Sequence, residues 1–120
     1  MFKKVGKEYF WFDLVVADPP EHIVLAAVAY AQEVVADGII GFGGGSSLET
    51  AKLVALLANS DEQLADIYGV DAIRGKRLPR ILIPTTAGTG SEVTPIAIVT
   101  TGDTTKAGVV SAELLPDIAL

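Results

Sequence analysis

The chain has 120 residues, 50% of them hydrophobic and 20% charged, which suits one globular domain with a core and excludes an unstructured chain. A formal net charge of −6 argues against general affinity for nucleic acid or anionic membranes, so a phosphate ligand would have to be held by backbone amides and helix ends. Having no cysteine and a single histidine, His22, the sequence excludes disulfides, thiolate zinc sites, iron–sulfur clusters, cysteine nucleophiles and any metal site built on several imidazoles.

The opening "MFKKVGKEYFWF" has no sustained apolar core and no small-residue cleavage site, and no later stretch reads as membrane-spanning. A cytoplasmic protein is therefore expected. "FDLVVA" (12–17) is a short Val-rich strand candidate that stops at "DPPE", where proline ends a strand and opens a helix. The helix predicted from "EHIVLAAVAYAQEVVA" (21–36) presents Ile23, Ala26, Ala27, Tyr30 and Val34 on one face, with His22 solvated in its first turn. A turn at Asp37-Gly38 leads into a buried strand from Ile39 to Phe42.

After the glycines, "SLETAKLVALLANS" reads as a second helix, with Leu48, Ala51, Leu53, Val54 and Leu57 as its apolar positions. "DEQLADIYGV" predicts a short helix capped by Asp61, and "DAIRGKRLP" a solvated loop. "RILIP" is a third strand and "TTAGTGSEVT" a second polar, Gly-rich loop. "IAIVTT", "GDT" and "KAGVVS" predict a hairpin, and the final "DIAL" starts another strand. The order β-α-β-α-(α)-β-loop-β-β predicts an α/β fold, because parallel neighbours need a helix-sized crossover.

Two loops carry chemistry. Residues 41–47, "GFGGGSS", lie between a strand and a helix, where successive amides and the helix dipole suit a phosphate. Ser46 and Ser47 are placed to cap that helix and to offer a hydroxyl; the plainer alternative is a tight turn with a capping serine. Two common phosphate motifs fail here. No Gly-Lys-Ser/Thr occurs, and the residue three beyond Gly43 is Ser46, not the glycine of a dinucleotide fingerprint. The second loop also leaves a strand's carboxyl end, where open parallel sheets bind ligands. Its Thr85, Thr86 and Thr89 offer hydroxyls, and Gly88 and Gly90 close approach, although threonine also closes ordinary turns.

Together, "GFGGGSSLETAK" (41–52) and "IPTTAGTGSEVTPIAIVT" (83–100) resemble the iron-containing (group III) alcohol dehydrogenases, which carry GGGSxxDxAK followed by PTTxGTGSEVT. "DPPEHIV", "ADGIIGFGGGSS" and "LLPDIAL" extend the resemblance over nearly the whole chain. It implies a partial Rossmann-like parallel sheet with flanking helices and a β-hairpin, truncated at both ends relative to the family. Residues 1–120 would form a single partial dinucleotide-binding domain, without the helical metal-binding C-terminal domain.

The resemblance further implies that Gly44, Gly45 and Ser46 hold the NAD or NADP pyrophosphate. Thr85, Thr86 and Thr89 would line the phosphate and nicotinamide side, with Val93 or Thr94 near the ring. Position 49, an aspartate in the family, is Glu49 here and would lie near the cofactor. Lys106 matches a lysine that contacts the cofactor ribose. Fe(II) or Zn(II), and a small alcohol or aldehyde, are implied for a full-length member; no catalytic or metal-binding residue is assigned to this chain. A non-catalytic nucleotide-binding or assembly fragment, or a segment like the maleylacetate reductases or glycerol dehydrogenases, stays open beside a dehydrogenase. Bare sheet edges would favour a homo-oligomer.

Overall fold

A computed structural model of the chain describes residues 12, 19–58, 60, 63–70, 78–85, 96–101, 105–111, 114–115 and 118–119. Two helices and six strands are present among them: α1 (Glu21–Glu33), β1 (Ile39–Gly43), α2 (Gly45–Leu57), β2 (Gly69–Val70), β3 (Arg80–Pro84), β4 (Ile96–Thr101), β5 (Thr105–Val110) and β6 (Ile118–Ala119). A single 3-10 turn, Leu64–Asp66, precedes β2. The expected α/β class is observed, divided between two small sheets. β1, β3 and β6 form a parallel sheet with β3 in the centre, and β2, β5 and β4 form a mixed one with β5 in the centre. The predicted strand over 12–17, the Asp61 cap and the turn at 102–104 lie outside the described residues.

Helix α1 follows Pro20, whose extended backbone and fixed φ prepare the first turn; Glu21 there favours the positive end of the helix dipole. Its buried stripe is Val24, Ala27, Val28 and Ala31. The face is therefore turned from the predicted one: Ala26 is exposed, and Ile23 and Tyr30 are half-buried at its margin. The small Ala27 and Ala31 let α1 lie close against α2, whereas bulky Tyr30 is tilted against Phe12 with ring centroids 6.1 Å apart.

The helix also ends earlier than its apolar pattern suggests. Val35 N–H donates to Gln32 O at 3.1 Å and Ala36 N–H to Ala31 O at 2.9 Å, the paired bonds of a Schellman terminus. This puts Val35 in the left-handed region, at φ 53°, where a β-branched side chain is strained.

Strand β1, helix α2 and strand β3 form one βαβ unit. β1 and β3 run parallel in register from Ile39↔Arg80 to Gly43↔Pro84. Alternation directs Gly41 towards α2, while Ile40 and Phe42 are exposed on the opposite face. Gly41 has a packing reason. A Cβ there would lie 2.7 Å from the Ala51 Cβ and 2.9 Å from Leu82 Cδ2, so only glycine lets α2 rest on the sheet.

Helix α2 is not the one-sided helix its predicted positions imply. From Leu48, Thr50 and Ala51 through to Leu57 it is buried all round. Leu48 and Ala51 pack with Leu82 against the parallel sheet. Leu53, Val54, Leu56 and Leu57 join α1, Ala97 and Val99 of β4, Val109 of β5, and Leu64, Ile67 and Leu114.

The returning chain is tied to the same helix. Leu78 N–H donates to Ala55 O at 2.7 Å, satisfying one of the terminal carbonyls of α2. The fully buried Arg80 donates from Nη1 to Lys52 O at 2.9 Å and from Nη2 to Leu115 O at 2.7 Å. Separately, Tyr68 OH donates to Glu21 Oε2 at 2.8 Å. Burial, reinforced by that carboxylate, pushes the phenol well above its ordinary pKa.

Two stability outcomes are expected. Val35→Gly should raise stability by about 0.5–1 kcal/mol in denaturant melts, since relief of left-handed strain exceeds glycine's extra unfolded-state entropy and the exposed side chain has little packing to lose. Gly41→Ala should cost about 1–3 kcal/mol in the same melts by forcing α2 off the sheet.

Candidate functional site

The site begins where β1 turns into α2. Gly43 takes φ 141°, a conformation that side chains disfavour, and a Cβ on it would sit 3.0 Å from Ser47 Oγ. Gly44 then occupies the N-cap with extended backbone (φ −82°, ψ −171°) and no side-chain cap. The first bond of the helix runs from Leu48 N–H to Gly44 O at 3.1 Å. The amides of Gly45, Ser46 and Ser47 therefore precede the helical ladder and face outward from the positive end of the dipole. That is the donor arrangement an anion needs.

This geometry corrects the capping role expected of Ser46 and Ser47. The helix starts at Gly45, so both serines fall inside the first turn and Gly44 takes the cap position. Neither hydroxyl makes a capping hydrogen bond at that position.

The second loop starts beside the first. Parallel register puts Gly43 opposite Pro84, and Thr85 N–H donates to Gly43 O at 2.9 Å. Gly44, Gly45, Ser46 and the exposed Thr85 thus gather at the carboxyl edge of one parallel sheet, the edge at which such sheets bind ligands. Thr86, Thr89 and Val93, together with Gly88, Gly90 and Thr94, lie outside the described residues.

Glu49 is the fifth residue of α2, and its Oε1 accepts from Ile98 N–H on β4 at 2.8 Å. Lys106 is exposed on β5, in the second sheet, opposite Thr100. The structure therefore places Lys106 on a different sheet from Gly44–Ser46, with Glu49 reaching from one unit to the other. His22 is exposed in the first turn of α1, as expected.

Some contributors to the site are not evident in the sequence. Arg80 anchors α2 from below, yet a cation next to a charged loop reads as solvated; only its position at the head of an apolar run marks it as a strand residue. β2 was not anticipated because "GV" is too short to show a period. A groove lined by Leu25, Val28, Gln32, Leu57 and Leu64 lies at the other end of α2 from Gly45 and takes no part in the cradle. Among the described residues, no helix is long and apolar enough to cross a membrane.

Comparison with known proteins gives the family of the chain. The sequence pattern of the iron-containing alcohol dehydrogenases matches residues 1–120. The chain belongs to that family. It is 47% identical over 109 residues to long-chain-alcohol dehydrogenase 1 of Geobacillus thermodenitrificans, covering 88% of this chain and 27% of that protein.

Among solved structures, the alcohol dehydrogenase from Oenococcus oeni superposes with a TM-score of 0.88 at 30% identity, over 95% of this chain and 30% of its own. The sulfoacetaldehyde reductase from Bifidobacterium kashiwanohense, solved in complex with NAD+, gives 0.83 at 34% identity, over 90% of this chain and 29% of its own. The chain thus spans between a quarter and a third of the length of these relatives.

Gly43→Ala provides a local test of the cradle. It should leave the fold in place, shown by an unchanged far-UV spectrum. It should weaken inorganic pyrophosphate binding by about tenfold in calorimetric titration, because the turn that aims the three amides can no longer form.

Proposed function

We propose that this chain grips the pyrophosphate of a nicotinamide dinucleotide for an alcohol dehydrogenase reaction. In that reaction hydride passes between the cofactor and a small alcohol–aldehyde pair. The observation that carries the reading is the bond from Thr85 N–H to Gly43 O, which starts the second loop beside the uncapped N-terminus of α2. A pyrophosphate is long enough to meet both loops, and a helix end can bind it despite the net charge of −6, because the attraction is local.

In this reading Gly44, Gly45 and Ser46 hold one phosphate through backbone amides, and the absence of a Cβ at 44 and 45 lets it approach. Thr85, followed by Thr86 and Thr89, meets the other phosphate and the nicotinamide side, with Val93 near the ring. Lys106 approaches the ribose from the hairpin. When bound, the nicotinamide supplies the hydride donor or acceptor. Likeness to a reductase solved with NAD+ supports NAD as the dinucleotide; NADP is the alternative to be tested.

The family is described as iron-containing, but the described residues do not fit a metal. They include no group of three or more His, Cys, Asp or Glu side chains able to hold one. No step is assigned to a metal on this chain. A homo-oligomer and a cytoplasmic location belong to the same proposal.

Titration with NADH and NADPH, followed by nicotinamide fluorescence, tests the reading. Saturable enhancement is expected with at least one of them, weakened in Gly43→Ala. No change at millimolar concentration of either cofactor would leave membership of the family without a cofactor role for this chain.

A further inference from the structure

β4 is an outer strand of the second sheet, with β5 on one side. Residues two apart on a strand aim their amides the same way. On the side away from β5, Thr100 N–H donates to Pro19 O at 3.0 Å and Ile98 N–H to Glu49 Oε1 at 2.8 Å. A side-chain carboxylate thus stands where a neighbouring strand would offer a carbonyl. It comes from the helix whose N-terminus forms the cradle, about one turn from Gly45. Ile98 pairs with Gly108 and Thr100 with Lys106 across the hairpin, so the bond holds the lysine-bearing strand at a set distance from the cradle.

A carboxylate this close to a phosphate site would repel a bound phosphate if it faced it. Its engagement with a backbone amide gives it a different task. We propose that Glu49 is a positioning residue: it does not touch the cofactor but fixes the β4–β5 hairpin against α2, so that Lys106 meets the ribose of a dinucleotide held by Gly44–Ser46. The inference rests on the cofactor reading above and adds the residue that joins the two halves of that site. The bond needs a side-chain oxygen at this reach: glutamine keeps both the reach and an oxygen acceptor, whereas alanine and leucine offer no acceptor.

The test uses this chain with three variants, Glu49→Ala, Glu49→Leu and Glu49→Gln, and two probes, NADH and inorganic pyrophosphate. Glu49→Ala and Glu49→Leu should weaken NADH about tenfold, the equivalent of one lost charge-assisted hydrogen bond, and leave pyrophosphate within about twofold. Glu49→Gln should recover most of the NADH affinity. Hydrogen exchange of the Ile98 amide, measured without cofactor, should quicken about tenfold in the alanine and leucine variants and much less in the glutamine one.

The proposal is overturned if NADH and pyrophosphate weaken together, as a general loss of structure would cause, or if NADH affinity is indifferent to the substitutions. Unchanged Ile98 exchange in Glu49→Ala overturns it as well. If the wild type binds neither probe, the cofactor reading itself falls, and Ile98 exchange still decides whether the tie exists. Should Glu49→Ala fail to fold, the leucine–glutamine pair makes the same comparison.

Discussion

The described elements are arranged around the burial of α2 on all sides. A helix in that position needs small contacts where backbones crowd and large apolar side chains where space remains. Gly41 under Ala51 meets the first need, and Leu53, Val54, Leu56 and Leu57 meet the second. Each large side chain taken from water contributes roughly 1.5–3 kcal/mol. The two sheets and α1 are held together mainly by sharing this one helix. A cation is recruited to the same purpose: Arg80 gives up water and recovers hydrogen bonds to Lys52 O and Leu115 O, joining the underside of α2 to the turn before β6.

The site follows from that placement. Because α2 is the crossover between two adjacent parallel strands, its N-terminus must emerge at the carboxyl edge of the sheet, next to the loop after β3. The helix needs no capping side chain there, and Gly43 and Gly44 shape a turn that leaves three amides facing outward. The deep burial that stabilises α2 also holds its first turn in place, so on the proposed reading little ordering would be lost on binding an anion. Glu49 extends this rigidity sideways to the hairpin.

Much of this was legible in the residues. The strands Ile39–Gly43 and Arg80–Pro84, the hairpin of β4 and β5 and the closing strand at Ile118 all stand where apolar runs and turn signals put them. The two Gly-rich loops and their family were legible too, because glycine and hydroxyl spacing is a local property. The end of α1 was misread because Val34 and Val35 continue an apolar pattern, although the Schellman turn at the helix end claims the backbone of Val35. The stripe on α1 was misplaced because Tyr30 outweighs Ala31 in hydrophobicity, whereas close helix packing favours the alanine.

The sequence by itself determined the two helices, the longer strands and their order, the two Gly-rich loops with their family, and the exclusion of cysteine chemistry. These depend on periods and spacings within a few residues. Only the tertiary structure decided that α2 is enclosed on every side, that Arg80 is buried and that the Glu49 carboxylate lies on Ile98. Each of these joins residues far apart in the chain, and such partners are chosen by packing and the need to satisfy buried polar groups, which no local pattern records.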